Sequence, residues 1–177
     1  VHPQTTITFH DQKPGMNQGS CGQIIVVDRK IPDIAQTHVG PGDLSVYYAR
    51  SKKESHKGQN GRVLIIGGGP YTGAPALSAL ASLRTGADLA FVAAPEIAAN
   101  VISSFSPNII VRPLNSRNHL NVDDVPYIKT LLDQIDTVLI GPGLGSLSDT
   151  KNAIRSMIRE VSIAKKNLVV DADAISC

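Results

Sequence analysis

Three short segments of the sequence have residues that could bind an anionic ligand. GGGPYTGAP (67–75) follows the apolar run VLII, GPGLG (141–145) follows VLI, and DADA (171–174) follows LVV. A glycine-rich turn between a strand and a helix directs unpaired backbone N–H groups and the positive end of the helix dipole toward a ligand. The alternative for each turn is a tight connection in which glycine supplies a positive φ.

Neither of the two common phosphate-binding motifs is complete. A dinucleotide fingerprint that begins at Gly67 requires glycine where Thr72 stands, and a Walker A loop that begins at Gly68 lacks its lysine. Two side-chain types remain as candidates. Asp171 and Asp173 could orient a hydroxyl group, hold Mg²⁺ through water or cap the next helix. Tyr71 could stack on a ring or close the turn.

The elements that must position these segments alternate between strand and helix. Residues 62–66, 88–93, 137–140 and 167–171 are predicted strands, and 75–83, 96–105, 122–135 and 149–164 are predicted helices. Asn121 with Asp123, and Ser148, are candidate N-caps. The alternation predicts a parallel α/β sheet, whose ligands bind beyond the carboxyl ends of the strands. The three segments should therefore share one rim and form a pocket for a phosphate-bearing ligand.

Composition limits the class of protein. The chain has 177 residues, is 42% hydrophobic and has a net charge of +2, so we expect one domain with an appendage and no nucleic acid or membrane partner. No apolar run approaches the ~20 residues of a membrane span. Cys21 and Cys177 are far apart, which favours neither a disulfide framework nor a zinc site and fits a reducing cytoplasm. Because the chain starts at Val1, we interpret it as a fragment.

The first 46 residues do not continue the alternation of strands and helices. TTITF and GQIIVVD are two short predicted strands joined by a loop, and a polar, basic run over 47–54 predicts a domain boundary. Lys52 and Lys53 in this run are interpreted as part of a solvated linker, with phosphate binding as the alternative.

Taken together, the motifs resemble a known family. The segment 55–96, followed by VLIGPGLG and VVDADAI, resembles the NAD(P)H-hydrate dehydratases, whose fold is similar to that of ribokinase-like kinases. Residues 1–46 resemble the tail of an NAD(P)H-hydrate epimerase domain, as found in bifunctional repair enzymes. The resemblance implies a partial three-layer ribokinase-like α/β domain over 55–177, a linker over 47–54 and a short β-rich segment from a preceding domain. In one respect the sequence departs from the family, because its first loop is one residue shorter before Tyr71.

The function implied by the resemblance is dehydration of (S)-NAD(P)H hydrate to NAD(P)H, with ADP or ATP and Mg²⁺ as cofactors and K⁺ as a possible ion of the epimerase part. We expect a cytoplasmic homo-oligomer. The implied substrate-binding residues are Tyr71, Thr72, Gly73, Ala74, Gly141, Gly143, Gly145 and Asp171. The nucleotide-binding and catalytic residues are expected beyond Cys177, so the isolated chain is predicted to show no turnover.

Two alternatives remain at this stage. A ribokinase-like small-molecule kinase would share the fold but act on a smaller substrate. A nucleotide-binding module without catalytic activity would use the same glycine turns.

Overall fold

The computed structural model describes residues 2–48 and 51–177, which divide into two compact units over 1–50 and 51–177. The predicted linker includes Ala49 and Arg50, which lie outside the described residues. In the first unit, β1 (Thr5–Phe9) and β2 (Gln23–Val27) pair in parallel. The connection between them, predicted as a loop, contains the short helix α1 (Gln18–Cys21), and α2 (Ile34–Thr37) and α3 (Pro41–Tyr47) follow.

The second unit contains a five-stranded parallel sheet in the order β5-β4-β3-β6-β7. Its elements, in chain order, are β3 (Arg62–Ile66), α4 (Gly73–Arg84), β4 (Leu89–Ala94), α5 (Glu96–Phe105), β5 (Ile109–Pro113), α6 (Val125–Leu131), β6 (Thr137–Ile140), α7 (Ser148–Ile163) and β7 (Asn167–Val170). A 3-10 turn, Ala172–Ser176, follows β7. This architecture confirms the predicted α/β fold.

Helices cover the sheet on both faces because alternate residues of each strand point to opposite sides. On one face, Ile65 and Val92 pack with the alanines and Ile102 of α4 and α5. On the other face, Leu64 and Ile66 pack with side chains of α6 and α7, including Met157. Burial on both faces explains why the central strands read as continuous apolar runs.

Three details differ from the sequence-based prediction. Strand β5 was not predicted, and it is an edge strand that ends at Pro113, where the missing N–H costs no ladder bond. The predicted helix over 122–135 is divided into a 3-10 turn, α6 and a second 3-10 turn. Asn121 caps the first of these turns as predicted, but Ser148 is the first residue of α7 and makes no capping bond.

At the opposite rim of the sheet, the turn before β3 is attached to Asp88. The backbone N–H of Asn60, its side-chain amide and the backbone N–H of Gly58 all donate hydrogen bonds to this carboxylate. These bonds hold the pKa of Asp88 below its usual value because they favour the charged form, and those from Asn60 have the largest effect. Within the described ranges, no helix is long and apolar enough to cross a bilayer.

Candidate functional site

The turns that follow β3 and β6 lie side by side at the carboxyl-terminal rim of the sheet. The two strands pair in register, with Ile66 opposite Ile140. The N–H of Gly68 donates to the carbonyl of Pro142 at 2.9 Å, and the N–H of Gly141 donates to the carbonyl of Ile66 at 3.1 Å. The prediction that GGGPYTGAP and GPGLG share one rim is therefore confirmed.

Most glycines in these turns are required by contact between the turns themselves. A Cβ atom at Gly143 would overlap the carbonyl of Tyr71 in the first turn. One at Gly141 would overlap the carbonyl of Asp171, so the second turn also packs on the segment after β7. A Cβ atom at Gly69 would lie 3.2 Å from the carbonyl oxygen of Leu144. Gly141 and Gly143 also have a positive φ, which other residues rarely adopt. Backbone therefore packs on backbone here, and the two turns behave as one interlocked unit.

The end of the first turn is open. Gly73 begins α4, and a Cβ atom there would meet nothing within 4 Å. Ala74, the next residue, is exposed in the first turn of the helix. Larger side chains at these two positions would enter solvent or a bound ligand, without disturbing the packing between the turns.

A cavity of about 550 Å³ opens beside the interlocked turns. This volume lies within the range of about 300–1,000 Å³ that is usual for small-molecule sites. Its walls are residues 69–71 and 144–147 from the two turns, Ile97 at the start of α5, Asn118 and His119 after β5, and Asp173 after β7. The segment that follows each of the five strands thus contributes to the wall of one cavity.

Of the eight predicted binding residues, Tyr71 and Gly145 line this cavity. Tyr71 is 66% exposed, so its ring is available to a ligand. Thr72, Gly73 and Ala74 continue from the same turn outside the cavity wall. Gly143 packs on the first turn and Gly141 on the backbone of Asp171. Asp171 itself precedes the 3-10 turn without a capping bond from its side chain.

Asn118, His119 and Ile97 were not predicted as site residues. Asn118 and His119 follow β5, so their position on the rim could not be inferred without that strand. A signal was present, because IIV at 109–111 is a short β-branched run placed between a helix and a polar loop. Ile97 follows the predicted strand at 88–93, and only its position in the first turn of α5 brings it to the cavity.

Asp173 joins the last segment of the rim to the second glycine turn. The N–H of Gly145 donates to Oδ2 of Asp173 at 2.8 Å. A carboxylate is a strong acceptor for a backbone N–H, and this bond fixes a glycine with φ of +78°. Asp173 therefore orients the turn that borders the cavity.

Comparison with known proteins assigns the family. The family model described as NAD(P)H-hydrate dehydratase matches residues 63–177, which include every cavity residue. The chain belongs to the NAD(P)H-hydrate dehydratase family. A bifunctional NAD(P)H-hydrate repair enzyme from Hyperthermus butylicus is 41% identical to it over 178 residues, covering 99% of this chain and 33% of that enzyme. The chain spans about a third of the length of the curated relatives it matches.

Solved structures confirm the ribokinase-like fold of this dehydratase-family chain. A ribokinase-like superfamily protein from Enterococcus faecalis has a TM-score of 0.64 at 24% identity and covers 78% of the chain and 46% of its own. An ADP/ATP-dependent NAD(P)H-hydrate dehydratase from Bacillus subtilis, crystallised with ATP and Mg²⁺, has a TM-score of 0.53 at 23% identity. It covers 71% of this chain and 42% of its own.

A metal site preformed by protein side chains is not found in the described parts of this family member. No group of three or more histidine, cysteine or acidic side chains is placed to hold an ion there. Asp173 is the carboxylate of the cavity wall, and the N–H of Gly145 already binds one of its oxygens. Mg²⁺ often binds through nucleotide phosphates and one or two carboxylates. The described residues alone therefore do not form a set of ligands for Mg²⁺, and Asp173 is the carboxylate that could contribute to one.

Proposed function

We propose that the full-length protein dehydrates (S)-NAD(P)H hydrate to NAD(P)H and consumes ADP or ATP with Mg²⁺. The observation that carries this proposal is the family match over 63–177, which coincides with the unit that builds the rim cavity. The Bacillus subtilis dehydratase is ADP/ATP-dependent and was crystallised with ATP and Mg²⁺, which supports the proposed nucleotide and metal.

The chemistry explains why a nucleotide is consumed. Hydration leaves a hydroxyl group on the dihydronicotinamide ring, and hydroxide is a poor leaving group. Transfer of the terminal phosphoryl group to this oxygen converts ATP to ADP, or ADP to AMP. Loss of a proton and of inorganic phosphate then restores the ring double bond.

This chain's part in the proposal is to bind and orient the dinucleotide. The cavity beside the glycine turns receives one part of the substrate, and Tyr71 offers an exposed ring on which a heterocycle could stack. Ala74 and the first turn of α4 would lie against the substrate, as the family resemblance implies. The interlocked turns keep this surface rigid, which reduces the entropy lost on binding.

The first test enlarges Ala74 in the full-length protein. Ala74→Val should weaken binding of NADH hydrate roughly tenfold to a hundredfold, because overpacking costs about 1–3 kcal/mol. Ala81→Val is the matched control, since Ala81 is also exposed on α4 but lies two turns further from the rim. The measurement is the KM for NADH hydrate, from recovery of NADH absorbance with ADP or ATP and Mg²⁺.

Three results would count against the proposal. Full activity of folded Ala74→Val at limiting substrate would remove Ala74 from the binding surface. Absence of NADH recovery by the wild-type protein, together with phosphorylation of a small alcohol, would instead identify a ribokinase-like kinase. Binding of a nucleotide with neither reaction would indicate a module without catalytic activity.

The proposal also covers the domain that precedes the dehydratase part, the cellular location and the oligomeric state. Residues 1–46 are assigned to the end of an epimerase domain that interconverts the two hydrate epimers, with K⁺ as its ion. This assignment is supported by the bifunctional relative, whose match covers nearly the whole chain. We also propose a cytoplasmic location, which the two free and widely separated cysteines support, and a homo-oligomer, which the exposed strands of the first unit support.

A further inference from the structure

Residues 114–121 connect β5 to the 3-10 turn that precedes α6, and hydrogen bonds hold them on two sides. We call them the β5–α6 loop. The N–H of Glu96 donates to the carbonyl of Ser116 at 2.9 Å, and the N–H of Ile97 donates to the carbonyl of Arg117 at 3.1 Å. These are the first N–H groups of α5, which would otherwise be available to an anion. These two N–H groups of α5 are therefore occupied, and an anion at this end of the cavity would be bound by the β5–α6 loop itself.

Two buried polar residues fix the other side of the loop. Asp124 is 0% exposed and accepts hydrogen bonds from the N–H groups of Ser116 and Asn121, both at 3.1 Å. Thr150, also 0% exposed, donates its hydroxyl to the carbonyl of Leu120 at 2.9 Å. A buried carboxylate is costly unless it is well paired, so these bonds specify one loop conformation.

The β5–α6 loop brings Asn118 and His119 to the cavity wall. His119 is half-buried, and its ring makes no hydrogen bond or ion pair with any described residue. Among the described residues that form the wall, it is also the one whose side chain can carry a positive charge, because none of them is a lysine or an arginine. Asn118, which is exposed, adds an amide donor beside it.

The imidazole, amide and carboxylate side chains of the cavity wall come from opposite edges of the sheet. Asn118 and His119 follow β5, whereas Asp173 follows β7. These strands are separated by four strand spacings of ~4.8 Å, or about 19 Å at the level of the sheet. The wall thus places donors toward one edge and a carboxylate acceptor toward the other, and phosphate groups are favoured at the donor edge.

We propose that His119 and Asn118 bind the pyrophosphate of the hydrated dinucleotide, and that Asp124 is a positioning residue that fixes the loop on which they stand. The inference rests on the proposed function, since it names the part of the same substrate that this edge of the cavity binds. His119 donates a ring N–H and Asn118 an amide N–H to the phosphate oxygens, and both hydrogen bonds are charge-assisted because the acceptor is ionised.

The experiment measures the Kd of two ligands by calorimetry on the full-length protein. NADH hydrate carries the pyrophosphate, and the hydrate of reduced nicotinamide riboside carries no phosphate. His119→Ala should weaken binding of NADH hydrate roughly tenfold and leave binding of the riboside hydrate unchanged. His119→Lys, which retains a positive charge, should recover most of the loss. His56→Ala is the matched control, because His56 is exposed and precedes β3 at the opposite rim.

Asp124→Asn tests the positioning role in a mutant cycle. Asp124→Asn alone should weaken binding of NADH hydrate, because the misplaced loop moves His119. Added to a variant that already has His119→Ala and Asn118→Ala, Asp124→Asn should cause no further loss, since the loop then presents neither donor. A purely structural role of Asp124 would give additive losses and would affect both ligands.

The outcomes separate this inference from the proposed function. Unchanged affinity of His119→Ala for NADH hydrate, or equal losses for the two ligands, would overturn the inference while leaving the function standing. Failure of the wild-type protein to bind either hydrate would overturn both.

Discussion

A single added methyl group distinguishes glycines that hold the two turns together from glycines that leave room for a ligand. Gly143→Ala adds a Cβ atom where the carbonyl of Tyr71 already lies, at a φ of +71°. Gly73→Ala adds the same atom at the start of α4, where nothing lies within 4 Å. Both substitutions replace glycine by alanine, and the two positions lie in the segments that follow neighbouring strands, β3 and β6. Each variant is therefore a control for the other.

The expected cost of Gly143→Ala has two parts. A left-handed conformation costs a non-glycine residue about 1–2 kcal/mol. The overlap with Tyr71 forces the turns apart, and overpacking of this kind costs about 1–3 kcal/mol. A total of about 3 kcal/mol, at roughly 4 °C per kcal/mol for a domain of this size, lowers Tm by roughly 12 °C. Gly73→Ala should leave Tm unchanged or raise it slightly, since alanine favours helix over glycine by up to about 1 kcal/mol.

Thermal unfolding followed by circular dichroism measures both variants on the chain itself. A Tm of Gly143→Ala equal to that of the wild-type protein would refute the account of the interlocked turns. A comparable fall in Gly73→Ala would refute the claim that space is open there, and with it the choice of neighbouring Ala74 as a clean test of substrate binding.

Two further predictions concern the turn before β3 and the first unit. The lowered pKa of Asp88 means that its stabilising contribution is present at neutral pH and is lost as pH falls below about 4 through the folded-state pKa; Asp88→Asn should therefore flatten the acid side of a plot of Tm against pH. An equally steep acid side in the variant would assign the effect to other groups. Ile7 and Phe9 are 60% and 57% exposed on a two-stranded sheet with unpaired edges, so size-exclusion chromatography should show self-association. A monomer that resists protease before Tyr47 would contradict this expectation.

Much of the fold followed from local sequence alone. The runs at 62–66 and 137–140 match β3 and β6 residue for residue, and 96–105 matches α5. Such segments can be predicted because burial on both faces requires continuous apolar residues, and helix–strand alternation requires a parallel sheet. The shared rim of the two glycine turns followed from the same rule.

The tertiary structure decided what those residues contact. The substrate-binding roles of Gly141 and Gly143 stay predictions, whereas only the structure shows that, within the protein, the atoms nearest to their Cβ positions belong to Asp171 and Tyr71. The bond between Gly145 and Asp173 joins residues 28 positions apart, and that between Thr150 and Leu120 joins residues 30 apart. Periodicity and turn composition report on neighbours along the chain. The contacts that shape this cavity arise only when strand order has brought distant loops together.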